Sequence, residues 1–137
     1  MSEAFDPLAR NVLVPVTRYG PRDNYTFKCA VDTGCSYSVL PVGYLRLVGY
    51  DLTRPVGRTN LRTASSVVPA PLFRITALAA LGKVSTNIIV AAHDLPSAKE
   101  HHGLLGLDFF RGQVLTLDFN RGWVSLSAPK RWWQFWW

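Results

Sequence analysis

Asp32 lies in a glycine turn that follows an apolar stretch, in the run Ala30-Val31-Asp32-Thr33-Gly34. Two carboxylates at short range share one proton, so that one acts as a base toward water while the other acts as an acid. Gly34 permits the sharp backbone turn that such close approach requires, and the Thr33 hydroxyl can tie the loop to its counterpart. The motif occurs once in the chain. The sequence therefore predicts half of a two-carboxylate site.

The elements that position this turn are predicted to be short β-strands, because Gly, Pro and Asn punctuate the chain at short intervals. The strand at residues 25–31 leads into Asp32, and a tip at residues 64–66 joins two strands predicted within residues 56–68. A tight turn is predicted at Gly82-Lys83. Further strands are predicted at residues 12–16, 72–81, 84–92, 114–119 and 123–126, and short helices at residues 41–48 and 107–111. The pattern indicates an all-β barrel or sandwich.

The composition is that of one globular domain: 137 residues, of which 48% are hydrophobic and 18% charged. We predict an N-terminal extension at residues 1–11, a folded domain at residues 12–127 and a Trp-rich C-terminal tail at residues 128–137. The net charge is +6, but the arginines are scattered along the chain. Scattered cations favour a solvated surface over a binding patch, so we expect no nucleic-acid partner.

Neither the N-terminus nor the cysteines point to secretion. The first residues lack the basic and apolar regions of a signal peptide, and no apolar run reaches the ~18 residues that a membrane span requires, so a cytoplasmic location is the default expectation. Cys29 and Cys35 are predicted to be free thiols. His93, His101 and His102 lack zinc-ligand spacing with partners elsewhere, so no metal site is expected.

Three segments, in this order and at these separations, resemble the retropepsin-like aspartic proteases, the single-domain family of retroviral proteases and their cellular and bacterial relatives. The first is residues 31–41, with the Asp-Thr-Gly turn followed by small polar residues and Val-Leu-Pro. The second is a hairpin at residues 62–70, where the family has its flap. The third is residues 103–110, Gly-Leu-Leu-Gly-Leu-Asp-Phe-Phe, followed by the strands near Asp118 and Trp123.

The resemblance implies a closed, retropepsin-like acid-protease barrel with one short helix after the Leu-Leu-Gly segment. It implies an aspartic endopeptidase that acts on peptides or proteins as a homodimer, with one Asp from each subunit, a flap over the cleft and no cofactor. The implied catalytic residues are Asp32, Thr33 and Gly34. The implied flap residues are Thr63, Ala64, Ser65, Ser66 and Val67. The implied supports of the active-site loop are Ser36, Leu104, Leu105 and Gly106.

Two positions depart from the family pattern. Cys35 lies where relatives usually carry Ala or Ser, and Ser65-Ser66 replaces the usual glycine of the flap tip. Serine lacks the freedom of glycine at positive φ, so flap opening can differ. Asp108 suits a helix start better than a second catalytic carboxylate, and Asp118 suits a solvated turn.

Other functions stay open at this stage. A catalytically silent retropepsin-like module that binds a protein or peptide partner is the main alternative. A small basic β-barrel that stacks single-stranded nucleic acid ranks lower, because the aromatic residues are not interleaved with the arginines. The indoles of Trp132, Trp133, Trp136 and Trp137 follow Lys130-Arg131. Such a tail can contact a membrane interface, a partner or the neighbouring subunit, or it can have none of these roles.

Overall fold

The computed structural model describes residues 2–62, 66–95 and 102–129. The strands are β1 (Ser2–Ala4), β2 (Leu13–Tyr19), β3 (Asn24–Val31), β4 (Val39–Leu40), β5 (Gly57–Arg62), β6 (Val67–Ala80), β7 (Lys83–Ala92), β8 (Leu104–Leu105), β9 (Val114–Asp118) and β10 (Trp123–Ser127). The helices are α1 (Val42–Leu47) and α2 (Leu107–Phe110). The four tail tryptophans 132, 133, 136 and 137 and the flap residues 63–65 lie outside the described residues.

The main sheet has seven strands in the order β2-β3-β8-β4-β7-β6-β5. β2 also pairs with β6, through Thr17 and Ala79 among other positions, so the first six of these strands close into a ring and β5 flanks it. α2 follows directly after the Leu-Leu-Gly segment. The predicted all-β, closed arrangement with a short helix at this place is therefore confirmed.

The core lies inside this ring and under the helices. Val14 and Val16 of β2 are fully buried, and they alternate with half-buried residues as expected for a strand with one face on a core. Leu45 of α1 and Phe109 of α2 close the core and are also fully buried. The apolar faces of the strands and of both helices thus point at the same interior.

A smaller sheet, in the order β1-β10-β9, joins the two ends of the described chain. Ser2 pairs with Ser125, so part of residues 1–11 adds a strand to the C-terminal hairpin. Val124 and Leu126 of β10 are buried and belong to the main core. The sheet is therefore packed on the domain through its inner face.

Two local predictions are wrong in detail. β6 is one continuous strand from Val67 to Ala80, although one strand was predicted to end by residue 68 and the next to begin at residue 72. The segment between them contains Pro69 and Pro71. Both prolines pair with β5 and have the same parity along the strand, while β7 pairs with β6 only from Leu72 onward. The nitrogens of both prolines, which carry no hydrogen to donate, can therefore face the edge of β6 that has no paired strand at these positions.

The turn between β6 and β7 lies one residue earlier than predicted. Ala80 pairs with Lys83, which leaves Leu81 and Gly82 as the two turn residues. Both have positive φ, 53° and 79°, the conformation that a two-residue hairpin turn requires. A glycine was the expected residue for this conformation, and Leu81 shows that the strand pairing on either side can impose it on a leucine.

Within the described ranges, both helices are short, and none is long and apolar enough to cross a membrane. Cys29 is buried, Cys35 is half-buried, and neither forms a disulfide. The described residues also contain no group of three or more His, Cys, Asp or Glu side chains placed to hold a metal ion.

Candidate active site

Asp32 begins a tight turn at the end of β3. Its carboxylate Oδ1 accepts the N–H of Gly34 at 3.0 Å, and its carbonyl accepts the N–H of Cys35 at 3.3 Å. Its own N–H donates to the carbonyl of Leu105 at 2.9 Å. The Gly34 N–H thus orients the Asp32 carboxylate. The side chain is only half-buried, so the carboxylate still reaches solvent.

β8 lies between the strand that enters this turn and the strand that leaves it. Leu104 and Leu105 pair in parallel with Ala30 and Val31 of β3, and Leu104 pairs antiparallel with Val39 of β4. Leu105 is fully buried. The predicted supports Leu104 and Leu105 thus lie directly behind Asp32 and link both sides of its loop.

Gly106 lies where the loop and the start of α2 are closest. A Cβ atom added to Gly106 would be 2.7 Å from the Cys35 carbonyl oxygen and 2.9 Å from that of Tyr37. The next N–H, of Leu107, donates to the same Cys35 carbonyl at 2.8 Å. The close approach of two backbones explains why glycine is needed at this position.

A buried hydrogen-bond network between Ser38 and Asp108 ties the loop to α2. The Ser38 N–H donates to Asp108 Oδ2 at 2.9 Å, and the Ser38 hydroxyl donates to Oδ1 at 2.7 Å. The Gly106 N–H donates to the Ser38 hydroxyl at 3.0 Å, and the Asp108 N–H donates to the Ser36 carbonyl at 3.3 Å. Sequence reasoning named Ser36 as a support and missed Ser38, whose complete burial no local pattern reveals.

Asp108 has a structural role in this network. Burial raises the pKa of its carboxyl, and the hydrogen bonds from Ser38 and Phe109 oppose that rise. Both of its oxygens accept hydrogen bonds from Ser38, and the residue does not line the pocket beside Asp32. Asp108 therefore does not supply a second carboxylate to that pocket.

A pocket of about 310 Å³ opens beside Asp32. Its lining residues are Asp32, Gly34, Cys35, Ser36, Tyr37, Val39, Thr59, Asn60, Leu61, Arg62, Leu95 and Leu104. Of these described residues, Asp32 alone carries a carboxylate and Arg62 alone carries a cation. The remaining wall mixes apolar residues, among them Leu61, Leu95 and Leu104, with polar ones such as Thr59 and Asn60.

The predicted site residues divide into three groups by position. Asp32, Gly34, Ser36 and Leu104 line the pocket, while Leu105 and Gly106 lie behind it. Thr33 is exposed on the turn and does not line the pocket.

The predicted flap is only partly described. Thr63, Ala64 and Ser65 lie outside the described residues. Ser66 and Val67 are exposed and do not line the pocket, whereas residues 59–62 of β5 do. Sequence reasoning included Arg62 in the flap hairpin and missed Thr59, Asn60 and Leu61, which line the pocket together with the Asp32 loop.

Cys35 is a neutral thiol in the pocket wall. Burial raises its pKa, and the nearby negative charge of Asp32 raises it further. The Cys35 Sγ donates to the Tyr37 carbonyl at 2.8 Å. The cysteine thus fills the place of a small side chain and is a poor nucleophile at neutral pH.

A family model described as "gag-polyprotein putative aspartyl protease" matches residues 22–112, which include the Asp32 turn, β8 and α2. The chain belongs to this aspartyl protease family. No curated protein sequence matches the chain. The match covers β3, the Asp32 turn, β4, β8 and α2, so family membership and the geometry of the loop concern the same part of the molecule.

The fold of this family member is similar to that in the crystal structure of a retropepsin-like aspartic protease from Rickettsia conorii. The TM-score is 0.60 at 21% sequence identity, and the match covers 93% of this chain and 92% of the other. At this low identity the likeness shows the fold, which is retropepsin-like. The similarity therefore extends over nearly the whole length of both chains.

Proposed function

We propose that the protein is an aspartic endopeptidase that acts as a homodimer, with water activated between two Asp32 carboxylates. The observation that carries the proposal is a pocket with one carboxylate, held by a glycine turn and open to solvent. One carboxylate cannot serve as base and acid at once, so a second copy of the chain is the natural source of the other.

The reaction then follows from one proton shared by two carboxylates. The ionised Asp32 takes a proton from water, whose oxygen attacks the carbonyl carbon of the peptide bond, while the protonated Asp32 of the other subunit donates its proton to the carbonyl oxygen. The C–N bond then breaks: the proton taken from water passes to the leaving amine nitrogen, and the second carboxylate takes back its proton as the C=O bond re-forms. The Gly34 N–H at Oδ1 orients the carboxylate and stabilises its charge. In this proposal Thr33, exposed on the turn, contacts the loop of the partner subunit.

The pocket supports a peptide substrate with an apolar side chain next to the cleaved bond. Tyr37, Leu61, Leu95 and Leu104 are among the lining residues that can contact such a side chain. In the proposal, the hairpin at residues 63–67 closes over the bound peptide. No metal or organic cofactor takes part in this chemistry.

The experiment is cleavage of a mixed peptide library by the chain and by Asp32→Asn. Asparagine keeps an Oδ1 that can accept the Gly34 N–H, so we expect the loop to persist while cleavage falls by roughly 10³-fold or more. Activity of the unchanged chain should also decrease at alkaline pH, because the shared proton is then lost.

The matched control is Asp23→Asn, at an exposed turn where the carboxylate accepts the N–H of Asn24. This variant should cleave the library as the unchanged chain does. Full cleavage by Asp32→Asn, or a rate that is flat from acid to alkaline pH, would contradict the mechanism. Folding of each variant is checked by circular dichroism.

A further inference from the structure

Arg18 of β2 is a completely buried arginine, and it is the largest fully buried side chain among the described residues. Its Nη2 donates to the Cys29 Sγ at 3.1 Å and to the carbonyl oxygen of His102. Within the described chain, its Nε and Nη1 have no hydrogen-bond partner. Among residues 2–62, 66–95 and 102–129, no carboxylate contacts this guanidinium, and a buried charge without a counter-ion is costly.

Aromatic rings supply part of the missing compensation. The guanidinium carbon lies 5.2 Å from the centre of the Phe27 ring and 5.5 Å from that of Tyr44. The His102 ring is 5.2 Å from each of these two rings. Cation–π attraction is strongest when the cation is desolvated, as it is here.

Cys29 does not act as the counter-ion. Burial raises the pKa of its thiol to about 11, although Arg18 opposes the rise, so the thiol stays protonated at neutral pH. Burial likewise lowers the pKa of Arg18, whose guanidinium nevertheless stays charged. In the described part of the chain, the hydrogen-bond acceptors of this cation are therefore a neutral thiol and a main-chain carbonyl.

That carbonyl belongs to the segment that leads into β8. The His102 N–H donates to the Lys28 carbonyl at 2.8 Å, and the Ala30 N–H donates to the Gly103 carbonyl at 3.0 Å. Leu105 then accepts the N–H of Asp32 at 2.9 Å. A short run of backbone thus connects the atom that Arg18 holds to the atom that holds Asp32.

Gly103 makes this run sensitive to small shifts. It has a φ of +132°, and an added Cβ would lie 2.5 Å from the Val39 carbonyl oxygen and 3.3 Å from the Cys29 Sγ. The segment is therefore wedged between β3 and β4, the two strands that flank the Asp32 loop. Because the backbone at Gly103 is closely packed, we expect a displacement of His102 to be transmitted to Leu105.

We infer that Arg18 is a positioning residue for the active site: by holding the His102 carbonyl it fixes β8 and, through Leu105, the backbone of Asp32. The structural part of this inference stands on the contacts alone. Its catalytic consequence rests on the proposed function. The group acts through the backbone and does not touch substrate.

The test is amide hydrogen exchange of Asp32, measured by NMR, in the unchanged chain and in Arg18→Met. Methionine fills apolar space without donors, and replacement of buried charges by apolar residues often leaves stability unchanged or raised. We expect exchange at Asp32 to accelerate by about 10-fold while the urea midpoint of global unfolding stays the same or rises. We also expect kcat for peptide cleavage to fall by about 10-fold with KM unchanged.

The matched control is Arg74→Met. Arg74 lies on β6 and also donates to a main-chain carbonyl, that of Asn87, at 3.2 Å, but it is exposed. This variant should change neither Asp32 exchange nor kcat. Equal effects of the two substitutions would overturn the inference, because they would show a general response to the loss of an arginine.

Unchanged Asp32 exchange in a folded Arg18→Met would also overturn the inference. If Arg18→Met does not fold, Arg18→Lys decides, since lysine keeps the buried cation but donates from one point. Faster Asp32 exchange in Arg18→Lys supports the positioning role, and unchanged exchange refutes it. Hydrogen exchange requires no catalysis. A chain that cleaves no peptide would therefore contradict the proposed function, while the exchange rate of Asp32 would still test the positioning role of Arg18.

Discussion

Asp108 and Ser38 show at the scale of single residues how the active-site loop is held. The carboxylate accepts both the N–H and the hydroxyl of Ser38, while that hydroxyl accepts the Gly106 N–H. One buried serine therefore connects the loop to both the Leu-Leu-Gly segment and α2. Hydrogen bonds to a charged group stabilise more than those between neutral groups, so this pair is a main restraint on the loop.

Asp108→Asn should destabilise the protein by about 1–3 kcal/mol, because one of the two oxygens becomes an NH2 group and so loses the N–H of either Ser38 or Phe109. Burial raises the pKa of Asp108 in the folded state, so the carboxyl contributes most stability below its ordinary pKa of about 3.9 and loses it as pH rises through the raised value. The stability gap between the unchanged chain and Asp108→Asn should therefore narrow from pH 3 to pH 7, measured by urea unfolding.

Asp51→Asn is the control, because the stability difference between this variant and the unchanged chain should increase as pH rises. Asp51 is fully exposed, and hydrogen bonds from Thr53 lower its pKa. Its contribution is present above the ordinary pKa and is lost as pH falls through the lowered value. A gap for Asp108→Asn that widens with rising pH would show that the hydrogen bonds from Ser38 outweigh burial.

At the scale of elements, β8 is two residues long and yet pairs with both strands that flank the Asp32 loop. Gly106 ends it against the loop backbone. Close backbone contact between β8, the loop and α2 is therefore part of what fixes the geometry of the loop.

Gly106→Ala should lower stability by about 1–3 kcal/mol, because its Cβ would overlap backbone atoms of Cys35 and Tyr37. We expect kcat to fall as well, since the loop must move to make room. Gly43→Ala in α1 is the matched control: an added Cβ there meets nothing within 4 Å. Alanine should stabilise this helix by about 0.5–1 kcal/mol, so a Gly106→Ala variant as stable as Gly43→Ala would refute the contact.

At the scale of the whole molecule, the described pocket offers one carboxylate, whereas the proposed reaction needs two. The proposed dimer makes a quantitative prediction for mixed samples. When unchanged chain and Asp32→Asn exchange subunits in equal amounts, about one quarter of the dimers carry two Asp32 residues. Peptide cleavage should then fall to about one quarter of that of the unchanged chain at the same total concentration.

A monomeric enzyme would retain about one half in the same mixture, because each unchanged chain would act alone. Mixing with Asp23→Asn instead should leave the rate unaltered. Sedimentation at the assay concentration shows whether dimers are present. A strictly monomeric chain with full activity would overturn the two-subunit site.

The sequence by itself determined the chemistry of the loop and the class of the fold. Asp32, Thr33 and Gly34 are adjacent, so turn preferences alone predict their arrangement, and the alternation of strands and turns predicted an all-β protein. The single occurrence of the motif predicted half a site. These conclusions rest on neighbours in the chain, for which local conformational preferences are strong.

Only the tertiary structure decided what holds the loop and what lines the pocket. Ser38 and Asp108 are 70 residues apart, and Arg18 is 84 residues from the His102 carbonyl that it holds. Such partners are chosen by how strands close around a core, and neither residue carries a local signal for its partner. Pro69 and Pro71 are a further example. A strand tolerates a proline where the nitrogen faces an unpaired edge, and which edge is unpaired depends on the pairing of β5, β6 and β7.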